Sequence, residues 1–215
     1  MQDVRVIYQK SGRAKYISHL DVNRMMLRAL KRSGLPVWHT QGYNPRPFIS
    51  FALPLSLGFT STYEVMDFRL SDDAYDLDAV LPKLQAVMPE SFRILEVTKP
   101  AHKPRDLCYA SFALHLVCDR ENVQRLCAML EQTELFVQKQ TKKKQIKQID
   151  LKPHIKEWQF EPETGGGVLK LILPAGNTLN INPMLLLEKA ENEGISLEAE
   201  SVVRTGIYLK NMQLL

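Results

Sequence analysis

The sequence predicts an α+β protein of two halves, each running β-α-β-β-α-β around an antiparallel sheet, the ferredoxin-like arrangement. Three observations lead there. Apolar residues recur with strand and then helix periodicity, in a similar order, twice along 215 residues. A proline-rich, charged stretch, KPAHKPRD at 99–106, separates the two runs. The halves share no sequence identity, so the repeat is one of architecture. The expected domains are 1–98, carrying a basic helix and a GYNPRP loop, and 107–215, carrying a lysine-rich insert.

In order, residues 3–9 alternate and read as a strand. A helix is expected over 18–33, opened by Ser18 as N-cap with Asp21 three residues on, and stopped by Gly34 and Pro36. Leu20, Val22, Met26, Leu27 and Leu30 give it a buried face. Strands follow at 47–53 and 62–70. A helix is expected over 74–87 with Leu77, Val80, Leu81 and Leu84 inward, kinked or delayed by Pro82. A strand at 91–98 closes the half. The second half reads as strand 108–118, helix 120–132, strand 134–140, strand-like runs at 146–161 and 167–173, helix 183–193 and strand 196–209. Gly165-Gly166-Gly167 lacks the Lys-Ser/Thr of a phosphate loop and reads as a hairpin turn.

The most informative stretch is 10–58. Arg24, Arg28, Lys31 and Arg32 recur at i, i+4, i+7 and i+8 and form a basic helix face. Such a face on its own is usually a solvated surface. Here Lys10, Arg13 and Lys15 precede it and Arg46 follows, with almost no acid to pair. The loop after the helix offers His39, Gln41, Tyr43, Asn44 and Arg46, with Gly42 permissive and Pro45 and Pro47 stiffening. A loop this polar and rigid is the kind that binds. Ser18, His19 and Asp21 are expected to pack beside Gln41, Gly42, Tyr43 and Asn44 as one pocket, with free N–H groups at the helix start.

The stretch SHLDVNRMMLRALKRSGLPVWHTQGYNPRPFISFALPLSLG resembles the signature of the radical-SAM-associated, or radical-SAM-linked, bacterial proteins. The matching positions are Gly12, Arg13, Tyr16, Ser18, His19, Leu20 and Asp21, then Gly42, Asn44, Pro45 and Pro47, then Ala52, Leu53, Pro54, Leu55 and Gly58. The likeness extends more weakly through TKKKQIKQIDLKPHIKEW and RTGIYL. It implies partnership with a radical-SAM enzyme, encoded beside the chain or fused to it, and implies no particular activity.

Charge sharpens this reading. The net charge is only +4, yet residues 1–50 hold nine Lys or Arg against Asp3 and Asp21, and residues 139–156 hold seven Lys against Asp150. Two basic islands in an otherwise acidic chain point to an anionic partner. Cys108, Cys118 and Cys127 have neither C-x-x-C nor zinc-site spacing, so buried thiols are expected. No C-x-x-x-C-x-x-C occurs, so the chain is not expected to carry an iron–sulfur cluster, and no cofactor or metal is expected. No apolar run approaches the roughly 18–20 residues of a membrane span. The MQDVRVIYQK start reads as a strand rather than a signal peptide, which makes a cytoplasmic bacterial protein the expectation.

Three functions compete. The leading one is a non-catalytic accessory protein that binds RNA for a radical-SAM enzyme. Its binding residues would be Arg13, Lys15, Ser18, His19, Arg24, Arg28, Gln41, Tyr43, Asn44 and Arg46, with Lys142, Lys143 and Lys144 in the insert. The second is a metal-independent endoribonuclease, similar in outline to CRISPR repeat-processing enzymes, with His19 and His39 as its acid–base residues. The third is a protein–protein adaptor that offers its basic islands to an acidic partner.

Overall fold

In the first strand, β1 (Gln2–Lys10), every residue from Val4 to Tyr8 is buried, as in a strand covered on both faces. The computed structural model describes residues 1–140 and 146–215. It is a mixed α+β structure in which β-strand neighbours such as Val4 and Phe68 pair antiparallel. The chain divides into two compact units, Met1–Leu107 with Gly206–Leu215, and Cys108–Thr205. The last ten residues therefore group with the first unit, although the sequence reading assigned them to the second.

In the first unit, β1 is followed by a 3₁₀ turn (Gly12–Tyr16), α1 (His19–Arg32), β2 (Ile49–Phe51), β3 (Thr60–Leu70), α2 (Val80–Gln85) and β4 (Phe92–Thr98). The strand order is β4-β1-β3-β2. Register sorts the side chains by face. Val4 pairs with Phe68 and Val6 with Met66, and these residues pack with Val22, Met26, Ala29 and Leu30 of α1 and Val80 and Leu84 of α2. The alternate positions, Asp3 opposite Arg69 and Arg5 opposite Asp67, point to the other face. There residues of the stretch after β4 and the chain end contribute, since Arg5 donates to the main-chain oxygens of His102 and Leu215. The expected 74–87 helix is shorter than its apolar pattern. A 3₁₀ turn at Leu77–Ala79 precedes α2, and Pro82 sits in its first turn, where an N–H has no intrahelical partner.

The second unit holds β5 (Leu107–Val117), α3 (Arg120–Glu131), β6 (Phe136–Gln140), β7 (Ile146–Asp150), β8 (Glu157–Glu163), β9 (Gly166–Pro174), α4 (Met184–Asn192) and most of β10 (Glu198–Leu209). Its strands lie in the order β10-β5-β9-β8, and β6 with β7 forms a separate two-stranded ladder. Asp119 caps α3 by accepting from the Asn122 N–H at 2.8 Å. Arg125 ties α3 to the end of α4 through the carbonyls of Glu193 and Gly194. The run 146–161 is not one strand. A 3₁₀ turn at Lys152–His154, carrying Pro153, splits it into β7 and β8. Of the glycine triplet only Gly165, with Thr164, forms the β8–β9 hairpin turn, and Gly166 and Gly167 open β9. A Cβ on Gly166 would collide with the Leu116 carbonyl oxygen, so only glycine lets the backbones of β9 and β5 approach.

Candidate nucleic-acid interface

The start of α1 is fixed by main-chain contacts on both sides. Gly12 adopts a positive φ of 55°, which lets the chain leave β1 and enter the 3₁₀ turn. The Ser11 N–H donates to the Ser91 carbonyl at 2.9 Å and the Gly58 N–H to the Lys15 carbonyl at 2.8 Å. The turn presents Arg13 and Tyr16 outward, with the Lys15 ammonium 5.2 Å from the Tyr16 ring centroid. Ser18 is the N-cap, as its position predicts. Its hydroxyl accepts from the Asp21 N–H at 3.2 Å and donates to the Asp21 carboxylate at 2.7 Å.

That hydrogen bond from Ser18 holds the Asp21 carboxyl below its ordinary value, and Arg24, 3.1 Å away, adds to the effect. A lowered folded value means that the cap's ionic contribution is present above the ordinary Asp range. It is lost as pH falls through the lowered value. Ser18→Ala is expected to cost about 1 kcal/mol of stability. It is also expected to return the Asp21 titration, followed by NMR, toward the ordinary carboxylate range.

Along α1 the basic face is present and points outward. Arg24, Arg28, Lys31 and Arg32 are all exposed. Arg24 pairs with Asp21, and Arg32 donates to the Val87 carbonyl at 3.0 Å. Arg13, Arg28, Lys31 and Arg46 are exposed and form no ion pair among the described residues. Leu20 corrects the expected apolar face. It is 68% exposed and lies on the basic side, because it stands one turn before Arg24 and two before Arg28 on the same helix face. Leu27 is only half-buried.

The loop after α1 is a small hairpin. Trp38 and Phe48 pair at its base, Thr40 and Arg46 near its tip, and His39 bridges to Pro47. His39 is oriented by a 2.9 Å contact between Nδ1 and the Val37 carbonyl. The tip, Gln41 to Arg46, is wholly exposed, Tyr43 to the full extent. The hairpin base joins the end of β3, since the Trp38 N–H donates to the Arg69 carbonyl at 2.8 Å. The 3₁₀ turn that precedes α1 joins the segment just ahead of β3, through Gly58. Those anchors lie at opposite ends of an eleven-residue strand, about 33 Å long at the usual rise. The His19 ring meets Phe51 of β2, the partner of Met66 in β3, edge-on with centroids 5.0 Å apart. The candidate residues lie on the 3₁₀ turn, along α1 and in the hairpin loop, and Lys142, Lys143 and Lys144 lie outside the described residues.

The structure adds a cluster that the sequence reading missed. The Arg69 guanidinium lies 5.5 Å from the Trp38 ring and 5.3 Å from the Phe48 ring, and its Nε donates to Asp3 at 2.6 Å. The β1–β3 register sets Asp3 beside Arg69, and the loop hairpin brings Trp38 and Phe48 to them. Elsewhere, Cys108, Cys118 and Cys127 are half-buried thiols outside any disulfide, and burial pushes Cys118 and Cys127 up, away from thiolate character. Among the described residues no group of three His, Cys, Asp or Glu is placed to hold a metal ion, and no helix is long and apolar enough to cross a membrane.

Fold and surface together define a two-unit α+β protein with an outward-facing basic helix. A bacterial family described as "Uncharacterized protein conserved in bacteria (DUF2344)" matches residues 4–183, and the chain belongs to it. No curated protein matches. Among solved structures, the chain is similar to the crystal structure of a Cbf5–Nop10–Gar1 complex at 9% identity and a TM-score of 0.50, over 94% of this chain and 48% of that one. It is also similar to the archaeal box H/ACA sRNP Nop10–Cbf5 complex at 9% identity and 0.45, over 93% and 46%. An unknown protein from Galdieria sulphuraria matches at 15% identity and 0.28, over 94% and 98%. The chain spans about half the length of the first two. The first is a likeness of fold.

Proposed function

We propose that this protein binds RNA through the 3₁₀ turn and the outward face of α1, and that it presents the RNA to a radical-SAM enzyme in the bacterial cytoplasm. The observation that carries the reading is the run of cations, all exposed but the half-buried Lys15, on one continuous piece of structure. Arg13, Lys15, Arg24, Arg28, Lys31 and Arg32 follow one another with Asp21 as the single acid among them. Phosphates favour such a face through counterion release, whatever the base sequence. The exposed Tyr16 and Tyr43 rings add stacking surface for unpaired bases. The radical-SAM partner rests on the 12–58 signature. We also assign both units the ferredoxin-like arrangement, which the strand orders β4-β1-β3-β2 and β10-β5-β9-β8 support.

The test is ultraviolet crosslinking in cells followed by purification, RNA sequencing and identification of co-purifying proteins. The expected result is one RNA class and a radical-SAM enzyme recovered together, and both lost with Arg24→Glu/Arg28→Glu. Recovery of neither with the native chain contradicts the reading. Incubating the pure protein with that RNA in EDTA should leave the RNA intact. A product made by the native chain and abolished by His19→Ala would replace the accessory role with that of a ribonuclease.

A further inference from the structure

We infer that the sheet face turned away from α1 and α2 carries a second, separate site, for a single nucleotide. A groove of about 470 Å³ runs there between β2–β3 and the stretch Pro100–Arg105. Its size suits one small ligand. One wall is the Phe48 ring, which stays 37% exposed although Arg69 covers part of it. Arg69 is held rigid between Trp38, Phe48 and Asp3. The opposite wall is main chain from Pro100 to Arg105, pinned because Arg5 donates to the His102 carbonyl at 2.7 Å. Along that wall the exposed Lys103 and Arg105 line the groove.

The groove's acids are already matched. Asp67 is held by Arg5 through two 2.8 Å hydrogen bonds, and Asp3 by Arg69. Asp106 stands 3.9 Å from Arg105, so the two cations Lys103 and Arg105 leave that wall with one net positive charge, while the apolar surface is an aromatic ring. A flat ring stacked on Phe48 with an anionic group reaching Lys103 and Arg105 matches both features. A nucleobase with its phosphate is the common ligand with that combination. The same chemistry is offered by a free mononucleotide and by one unstacked nucleotide of an RNA strand.

The experiment is calorimetric titration of the full chain with AMP, with UMP and with a short single-stranded RNA. The variants are Phe48→Ala, Phe48→Tyr and Lys103→Glu/Arg105→Glu, each checked by circular dichroism. Phe48→Ala is expected to weaken binding about fivefold to a hundredfold without changing its salt dependence, and Phe48→Tyr to preserve it. Lys103→Glu/Arg105→Glu should weaken binding and flatten the salt dependence. Binding of AMP or UMP identifies a free-nucleotide site. Phe48-dependent binding of the oligonucleotide alone identifies a site for an RNA nucleotide. Absence of binding in both arms overturns the proposal, as does binding unchanged by Phe48→Ala. Repeating the mononucleotide arm in Arg24→Glu/Arg28→Glu separates the two surfaces, since this groove should be unaffected even where RNA binding by α1 is lost.

Discussion

Arg5→Ala is expected to destabilise the protein by about 3–5 kcal/mol, the largest loss among single changes considered for the first unit. Arg5 is 2% exposed on the central strand, among residues that are otherwise apolar. Its guanidinium forms a two-pronged pair with Asp67, both bonds 2.8 Å, and donates to the main-chain oxygens of His102 and Leu215 at 2.7 and 3.0 Å. Such a fork satisfies a carboxylate and two carbonyls at once, which lysine's single ammonium cannot reproduce. Truncation leaves Asp67, itself mostly buried, without its partner. The cost is mainly that stranded charge and not the intrinsic worth of the pair. Accordingly, Arg5→Met with Asp67→Leu should recover much of the loss, because a well-packed apolar pair can replace a buried ion pair. Urea unfolding of the two variants measures both effects. A single variant that unfolds at the native midpoint would contradict this account of the buried pair.

Neither Arg5 nor its partners stand out in the sequence. Arg5 looks like one polar residue in an alternating strand, and Asp67 lies 62 positions away. Their meeting depends on the β1–β3 register, which is a tertiary fact. Trp38, Phe48 and Arg69 escaped notice for the same reason. What was legible was local. Ser18 and Asp21 marked the start of α1, whose range His19–Arg32 departs little from the expected 18–33. Most strands fell near their expected limits because strand periodicity is strong where one face packs on helices, whereas 47–53 shortened to Ile49–Phe51 and 146–161 split in two. The basic face of α1 was legible because four cations at helical spacing must share a side. The contact of His19 with Phe51 was not, since it depends on where β2 pairs with β3. The return of residues 206–215 to the first unit likewise has no local signal.

The second large effect concerns the central claim, that the outward face of α1 binds RNA. Arg24 and Arg28 are one helical turn apart and exposed, so reversing them changes four units of charge on that face without touching the core. Each phosphate contact on a single strand contributes about 0.7 to the log–log slope of affinity against salt. Loss of two contacts should therefore lower the slope by about 1.4, and repulsion should weaken binding by at least an order of magnitude near 0.1 M salt. Glutamate propagates a helix well and α1 keeps its buried residues, so the fold should be retained.

The decisive measurement is fluorescence anisotropy of a labelled single-stranded RNA with native chain and Arg24→Glu/Arg28→Glu, across a salt series. The expected result is salt-dependent binding by the native chain, with affinity and slope both reduced in the variant. Equal affinity and equal slope for the two proteins would contradict the claim that this helix face is the RNA-binding surface.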